Sequence, residues 1–164
     1  MFYVSIKLLV AGGTIDKQYD ELTGNVIFAQ THIPELLTQA RCTAPVTIET
    51  VFLKDSLDMT LEDRQALYIQ ANLAQEDKIL ITHGTDTMGE TARYLGERHL
   101  QKTIVLLGAM IPYCFKQSDS LFNLGFALAS VQCLPHGVYV AMNGQVFTWD
   151  NVVKNKLKGV FERG

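Results

Sequence analysis

A hydroxyl and a carboxylate stand side by side in His83-Gly84-Thr85-Asp86-Thr87-Met88, directly after the apolar run Ile79-Leu80-Ile81. The run reads as a buried strand. Gly84 lets the backbone turn at the strand's end. Thr87 and Glu90 have the spacing of a capping box, which predicts a helix starting near Met88. Thr85 and Asp86 then fall between the carboxyl end of a strand and the first turn of a helix. Free amides and the helix dipole favour anions there, and open α/β sheets take their ligands there. By itself such a turn is common, and the two side chains could equally tie down a loop.

A second turn of the same kind lies near the start of the chain. Lys7-Leu8-Leu9-Val10-Ala11 leads into Gly12-Gly13-Thr14-Ile15, where two glycines deliver a threonine to the end of another strand. The elements that must position the two turns alternate along the chain. Strand signals end near Ala11 and span Val46–Leu53, Ile79–Ile81, Thr103–Leu107 and Gly137–Met142. Helices are predicted over Ile33–Ala40, from Thr60-x-x-Asp63 to about Ala74, over Met88–Leu100, and from a cap at Ser118 or Asp119 to about Cys133. In the second of these, Leu61, Ala66, Leu67, Ile69 and Leu73 are offered to the core. The stretch 16–30 reads as a loop with room for a short hairpin. Asn143-Gly144 reads as a turn, with an edge hairpin over Gln145–Val153. Strands separated by helices predict a three-layer α/β/α sandwich with a mostly parallel central sheet.

The chain has 164 residues, the size of one domain. With 48% hydrophobic and 19% charged residues it is globular in composition, and a formal charge of -3 gives no basic surface for nucleic acid or anionic lipid. No apolar run approaches the ~20 residues of a membrane helix. Residues 1–10 read as the first strand and not as a secretory signal, so the cytoplasm is the expected compartment. Cys42, Cys114 and Cys133 form no C-x-x-C pair and are expected to be reduced thiols packed as small hydrophobes. His32, His99 and His136 are expected at helix or loop surfaces. Tyr3 and Tyr94 are expected to pack.

A-G-G-T-I near the start, followed by H-G-T-D-T-M and E-T-A, resembles the bacterial-type L-asparaginases, the threonine amidohydrolases, over nearly the whole chain. The two motifs in this order, about this far apart, are specific together where either alone is weak. The resemblance implies an acyl-enzyme route for splitting an amide. Such a route needs a nucleophile, a base and oxyanion donors. Thr14 matches the first nucleophile. Thr85, Asp86 and Lys154 match a triad, Lys154 being found in Asp150-Asn151-Val152-Val153-Lys154 after Met142-Asn143. Without the resemblance Lys154 would read as a surface lysine. Ser56, in Leu53-Lys54-Asp55-Ser56-Leu57-Asp58-Met59, would hold a substrate α-carboxylate; as a loop serine it reads equally well as a cap. Ala109, in Gly108-Ala109-Met110-x-Pro112, would turn its carbonyl toward the leaving amide, while Leu107 and Met110 read as core. Gly13 and Gly84 would bring backbone against the substrate. Tyr19, five residues after Thr14, is the candidate for a tyrosine that closes over the substrate from a mobile segment. No cofactor or metal is implied. The implied partners are a small amide and further copies of the chain, as a dimer or tetramer, with neither nucleic acid nor membrane.

Two departures from the family pattern bear on the substrate. The match is to the family's larger N-terminal domain, so the expectation is one domain over 1–164 with the second family domain absent. Leu57 stands where the family has a glutamine beside the serine. Both changes remove partners of an α-ammonium group, and a site that loses such partners loses discrimination. The expected activity is release of ammonia from asparagine or a related small amide. The alternative is a non-catalytic module that binds a small carboxylate. Nucleotide binding has only A-G-G-T in its favour, since neither G-x-G-x-x-G nor a Walker pattern occurs.

Overall fold

The computed structural model describes residues 4–164. The chain begins with β1 (Ile6–Gly12), the hairpin β2 (Lys17–Asp20) and β3 (Asn25–Phe28), and α1 (Ile33–Gln39). It continues through β4 (Val46–Lys54), α2 (Leu61–Leu73), β5 (Lys78–Thr82), α3 (Met88–Gly96) and β6 (Thr103–Leu107). It ends with α4 (Ser120–Cys133), β7 (Gly137–Met142), β8 (Gln145–Thr148), β9 (Val153–Asn155) and β10 (Val160–Glu162). The central sheet has the order β4-β1-β5-β6-β7-β8; every pairing is parallel except β7 with β8.

The three layers follow from strand alternation. Leu9, Ile79, Ile81, Ile104 and Leu106 point to the face covered by α2 and α3, where Leu67, Ala71, Ala92 and Leu95 meet them. Leu8, Val10, Leu80, Val105 and Leu107 point to the other face, against Leu36 of α1 and Leu124 and Leu128 of α4. Strands buried on both faces read as continuous apolar runs, which is why their sequence signal was strong.

The sheet order places a switch point between β1 and β5. After β1 the chain moves outward to β4; after β4 it crosses back to β5 and proceeds the other way. Loops leaving β1 and β5 therefore start side by side at the strands' carboxyl ends, the preferred ligand position in open α/β sheets.

Several expectations change. Thr87 precedes α3 but does not cap it with its side chain; its hydroxyl donates to the Ser56 carbonyl at 2.8 Å. A full capping box stands instead at Thr60 and Asp63 ahead of α2. In α2, Leu67 is buried, whereas Leu61, Ile69 and Leu73 are exposed and share one stripe at a four-residue spacing. Asp119 stands at the N-cap of α4, yet its carboxylate turns back to accept the amides of Met110 and Ile111. Helix α3 stops at Gly96, and a turn follows in which His99 takes φ 48°. A Cβ on Gly96 would lie 2.2 Å from the Trp149 ring, so the glycine is what lets the indole seat against α3. The tail is not one edge hairpin: β8 joins the main sheet, and β9 pairs with β10 as a separate two-stranded ribbon.

Candidate active site

Three glycine backbones pack the threonine loops against each other and against their neighbours. Gly13 takes φ 83° and ψ 179°, and a Cβ there would lie 2.3 Å from the Gly84 nitrogen. A Cβ on Gly84 would meet the Ser56 side chain at 2.6 Å. The role of Gly84 is thus close approach, with no left-handed turn at that residue. A Cβ on Gly108 would lie 2.4 Å from the His83 carbonyl, so the loops after β5 and β6 are also in backbone contact. Thr14 opens a short 3-10 turn after β1, half-buried, and Thr85 is 5% exposed in the loop after β5.

Lys154 comes to these loops from the far end of the chain. Its Nζ donates to Thr85 Oγ1 at 2.7 Å and to Asp86 Oδ1 at 2.8 Å. The lysine side chain is 12% exposed and that of Asp86 31%. Two anchors hold β9 in place. Val152 is buried just before it, and Phe161, the cross-strand partner of Lys154 on β10, is also buried. Each contributes about 2 kcal/mol of burial. The Phe161 amide donates to Asn143 Oδ1 at 2.9 Å, tying the ribbon to the turn after β7. The sequence reading of Lys154 as a surface residue, made without the resemblance, is overturned by this geometry.

His83 braces the same loop from below. It is fully buried, with Nδ1 2.7 Å from the Gly84 carbonyl and Nε2 2.8 Å from Thr91 Oγ1. A carbonyl can only accept, so Nδ1 carries the proton and Nε2 accepts from the threonine. Burial lowers its pKa to about 4, and the ring stays neutral.

Ser56 is buried beside Gly84, its Oγ accepting the Thr87 amide at 3.3 Å. Asp55 accepts the Leu57 amide and forms an ion pair with Lys17, which latches β2 to the Ser56 turn. The Lys17 ammonium is the largest cause of a lowered Asp55 pKa. Leu57 is 67% exposed and Tyr19, on β2, 58%. The structure therefore groups Gly13, Ser56 and Gly84 in direct contact and joins Thr85, Asp86 and Lys154 by hydrogen bonds; it leaves the side chains of Leu57 and Tyr19 open to solvent. Ala109 follows β6 fully buried, and Asn123 Nδ2 holds the adjacent Gly108 carbonyl at 3.0 Å. Leu107 is core, whereas Met110 is half-buried.

The Lys17–Asp55 latch is not legible in the sequence. A lysine on β2 and an aspartate 38 residues further on have no spacing signal to connect them. His32 is buried, contrary to expectation, while His99 and His136 are exposed as expected. Cys114 and Cys133 are exposed and only Cys42 is half-buried, so the thiols are not packed alike. Tyr94 packs partly against the core and under Arg98; Tyr3 lies outside the described residues. Among the described residues no group of three His, Cys, Asp or Glu side chains is placed to hold a metal, and no helix is long and apolar enough to cross a membrane.

An open, mostly parallel sheet with a hydroxyl–amine–carboxylate cluster at its switch point defines an α/β protein with a site at the strands' carboxyl ends. Comparison with known proteins gives the family. Residues 5–160 match the family model described as Asparaginase, N-terminal. A probable periplasmic L-asparaginase of Haemophilus influenzae is 32% identical over 95% of this chain and 48% of its own length. The thermostable L-asparaginase of Thermococcus kodakarensis superposes with a TM-score of 0.85 at 28% identity, over 97% of this chain and 51% of that one. A probable cytoplasmic L-asparaginase of Campylobacter jejuni gives 0.83 at 32% identity, over 96% and 52%. The chain belongs to the asparaginase family and corresponds to its N-terminal domain. It spans about half the length of the relatives it matches.

Proposed function

We propose that the chain is an asparaginase-like amidohydrolase that releases ammonia from a small amide. The observation that carries this reading is the single lysine amine held at once by Thr85 Oγ1 and Asp86 Oδ1, beside the Thr14 loop. A buried loop threonine needs no lysine for stability, whereas a hydroxyl 2.7 Å from an amine is at proton-transfer distance.

In this mechanism Thr14 Oγ attacks the amide carbon and passes its proton toward the departing nitrogen. Backbone amides at the ends of β1 and β5 hold the oxyanion. Ammonia leaves an ester on Thr14. Lys154, oriented by Asp86, takes the proton of Thr85, which in turn activates water. Water opens the ester, restores Thr14 and frees the acid. In this reading the Ser56 hydroxyl would hold the substrate carboxylate. Tyr19 would close over the substrate and Leu57 would stand beside it, both from exposed positions. No cofactor enters these steps.

The substrate class follows from Leu57. An exposed leucine next to Ser56 offers an α-ammonium group no hydrogen bond, so amides without that group are favoured over asparagine. The test is an ammonia-release panel of asparagine, glutamine and simple dicarboxylic monoamides. Turnover is expected, with the monoamides at least matching asparagine. Leu57 also favours the second reading, a module that binds a small carboxylate without reacting. Tight binding across the panel with no ammonia would select that reading.

Self-association and compartment belong to the same proposal. The exposed Leu61–Ile69–Leu73 stripe on α2 is apolar surface that a second copy of the chain would cover. Three unpaired cysteines fit the cytoplasm, where thiols stay reduced.

A further inference from the structure

A second group of side chains places a nucleophile, a base and a carboxylate in sequence. Cys114 lies in the loop between β6 and α4 and is exposed, with its Sγ 3.2 Å from His32 Nε2. His32 Nδ1 faces Glu35 Oε2 at 3.4 Å, at the first turn of α1. The imidazole is 4% exposed and packs against Tyr113, with ring centres 5.7 Å apart, which limits its freedom to turn away from the sulfur. Backbone bonds fix both partners. The His32 amide donates to Asp16 Oδ1 at 2.8 Å, and the Tyr113 amide to the Ile15 carbonyl at 3.3 Å. Nucleophile, base and orienting carboxylate in this order is the geometry of an activated thiol.

Beside the sulfur lies a cavity of about 500 Å³ lined by Cys114, Tyr113, Phe115, Ser118, Leu121 and Gln39. Aromatic and amide groups line it together, as a peptide-like thiol would require. Among the described residues neither Cys42 nor Cys133 has a histidine on its sulfur.

We propose that Cys114 is a base-activated modification site that forms mixed disulfides with small peptide-like disulfides, the adduct occupying the adjoining cavity. His32 Nε2 takes the Sγ proton. The thiolate attacks one sulfur of the disulfide; the Sγ–S bond forms as the reagent's S–S bond breaks. The departing thiolate takes the proton back from the imidazolium. Cys114 is thereby oxidised to a mixed disulfide, and the other half of the reagent is reduced to a thiol. Burial and the carboxylates of Glu35 and Asp16 push the free thiol up, so the sulfur reacts through its base and not as a standing thiolate. Glu35 faces Nδ1, the other ring nitrogen, where its carboxylate stabilises the imidazolium.

Iodoacetamide pulse labelling with peptide mass spectrometry compares Cys114 and Cys133 within one molecule, both being exposed. Cys114 is expected to react at least ~10-fold faster, a discount on the ~10²–10⁴-fold that a positioned base supplies. His32→Gln brings Cys114 down to the rate of Cys133. Glu35→Gln, at a solvent-facing carboxylate, slows Cys114 several-fold and covers the case in which the His32 variant does not fold. Oxidised glutathione gives one adduct by intact mass, lost in Cys114→Ser. Equal rates for the two cysteines, rates indifferent to both variants, or an adduct on Cys133 alone would overturn the proposal. None of these readouts uses an amide substrate, so they stand whether or not ammonia is released.

Discussion

Alanine at Gly13 is expected to push the two threonine loops apart. Gly13 sits at φ 83° and ψ 179°, a region occupied essentially by glycine, and holding alanine there costs about 1–3 kcal/mol. The new Cβ would stand 2.3 Å from the Gly84 nitrogen and 2.6 Å from its Cα. Non-bonded atoms rest about 3.5–4.0 Å apart, so the loops must separate by roughly 1 Å. The atoms in the way are backbone, and β1 and β5 are paired through five registered residues, so neither loop yields by a rotamer change. Overpacking of this sort adds about 1–3 kcal/mol, for a total of about 2–6 kcal/mol. A displacement of ~1 Å between Thr14 and Thr85 should also lower turnover about 100-fold. Urea unfolding followed by circular dichroism reads the first effect and ammonia release the second. Gly125→Ala is the control: nothing lies within 4 Å of a Cβ there, and mid-helix alanine should gain about 0.5–1 kcal/mol. A Gly13→Ala protein with parental urea midpoint and parental turnover would refute the reasoning.

Other predictions follow from buried titratable groups and the α2 surface. His83 titrates near pH 4 when folded and near 6.5 when unfolded, so stability present above pH 6.5 is lost as pH falls toward 4. At about 1.36 kcal/mol per pH unit the loss is about 3 kcal/mol; urea midpoints of His83→Gln should fall less between pH 7 and 4, and parallel curves would contradict this. Asp16 has the opposite sign. Burial raises its pKa against the bonds from His32 and Thr31, so the fold is favoured with the proton on and penalised as pH rises. Asp16→Asn should therefore be more stable than the parent at pH 8 and lose that advantage by pH 3, and an equal gap at both would count against it. Ile69→Glu, in the middle of the exposed α2 stripe, should shift sedimentation from oligomer to monomer without altering the circular dichroism spectrum.

Residues that meet through the sheet were legible; residues that meet through loops were not. The bounds of β6 follow from its apolar run because burial on both faces leaves no alternation to misread. Thr14 and Thr85 were readable as a pair since each ends a strand, and the order of those strands brings them together. Lys154 carries no local signal of its own. Its place depends on β9 pairing with β10 and on Phe161 burying beneath it, three-residue strands that no periodicity reveals. Thr87 had the spacing of a cap, but its hydroxyl turns away to donate to the Ser56 carbonyl, a contact between loops 31 residues apart. Leu61, Ile69 and Leu73 look like core in sequence because a helical apolar stripe is the same whether the fold or a partner covers it.

The central claim is that Lys154 acts on Thr85 chemically and is not merely a structural tie. Lys154→Met keeps the length and apolar stem of the side chain and removes only the amine that bridges Thr85 and Asp86. Initial ammonia-release rates of this variant and the parent, on the best amide of the panel and with matched circular dichroism spectra, measure the amine's contribution. The account predicts a fall of about 10²–10⁴-fold, the usual worth of a positioned acid–base group. A folded Lys154→Met protein that releases ammonia at the parental rate would contradict it.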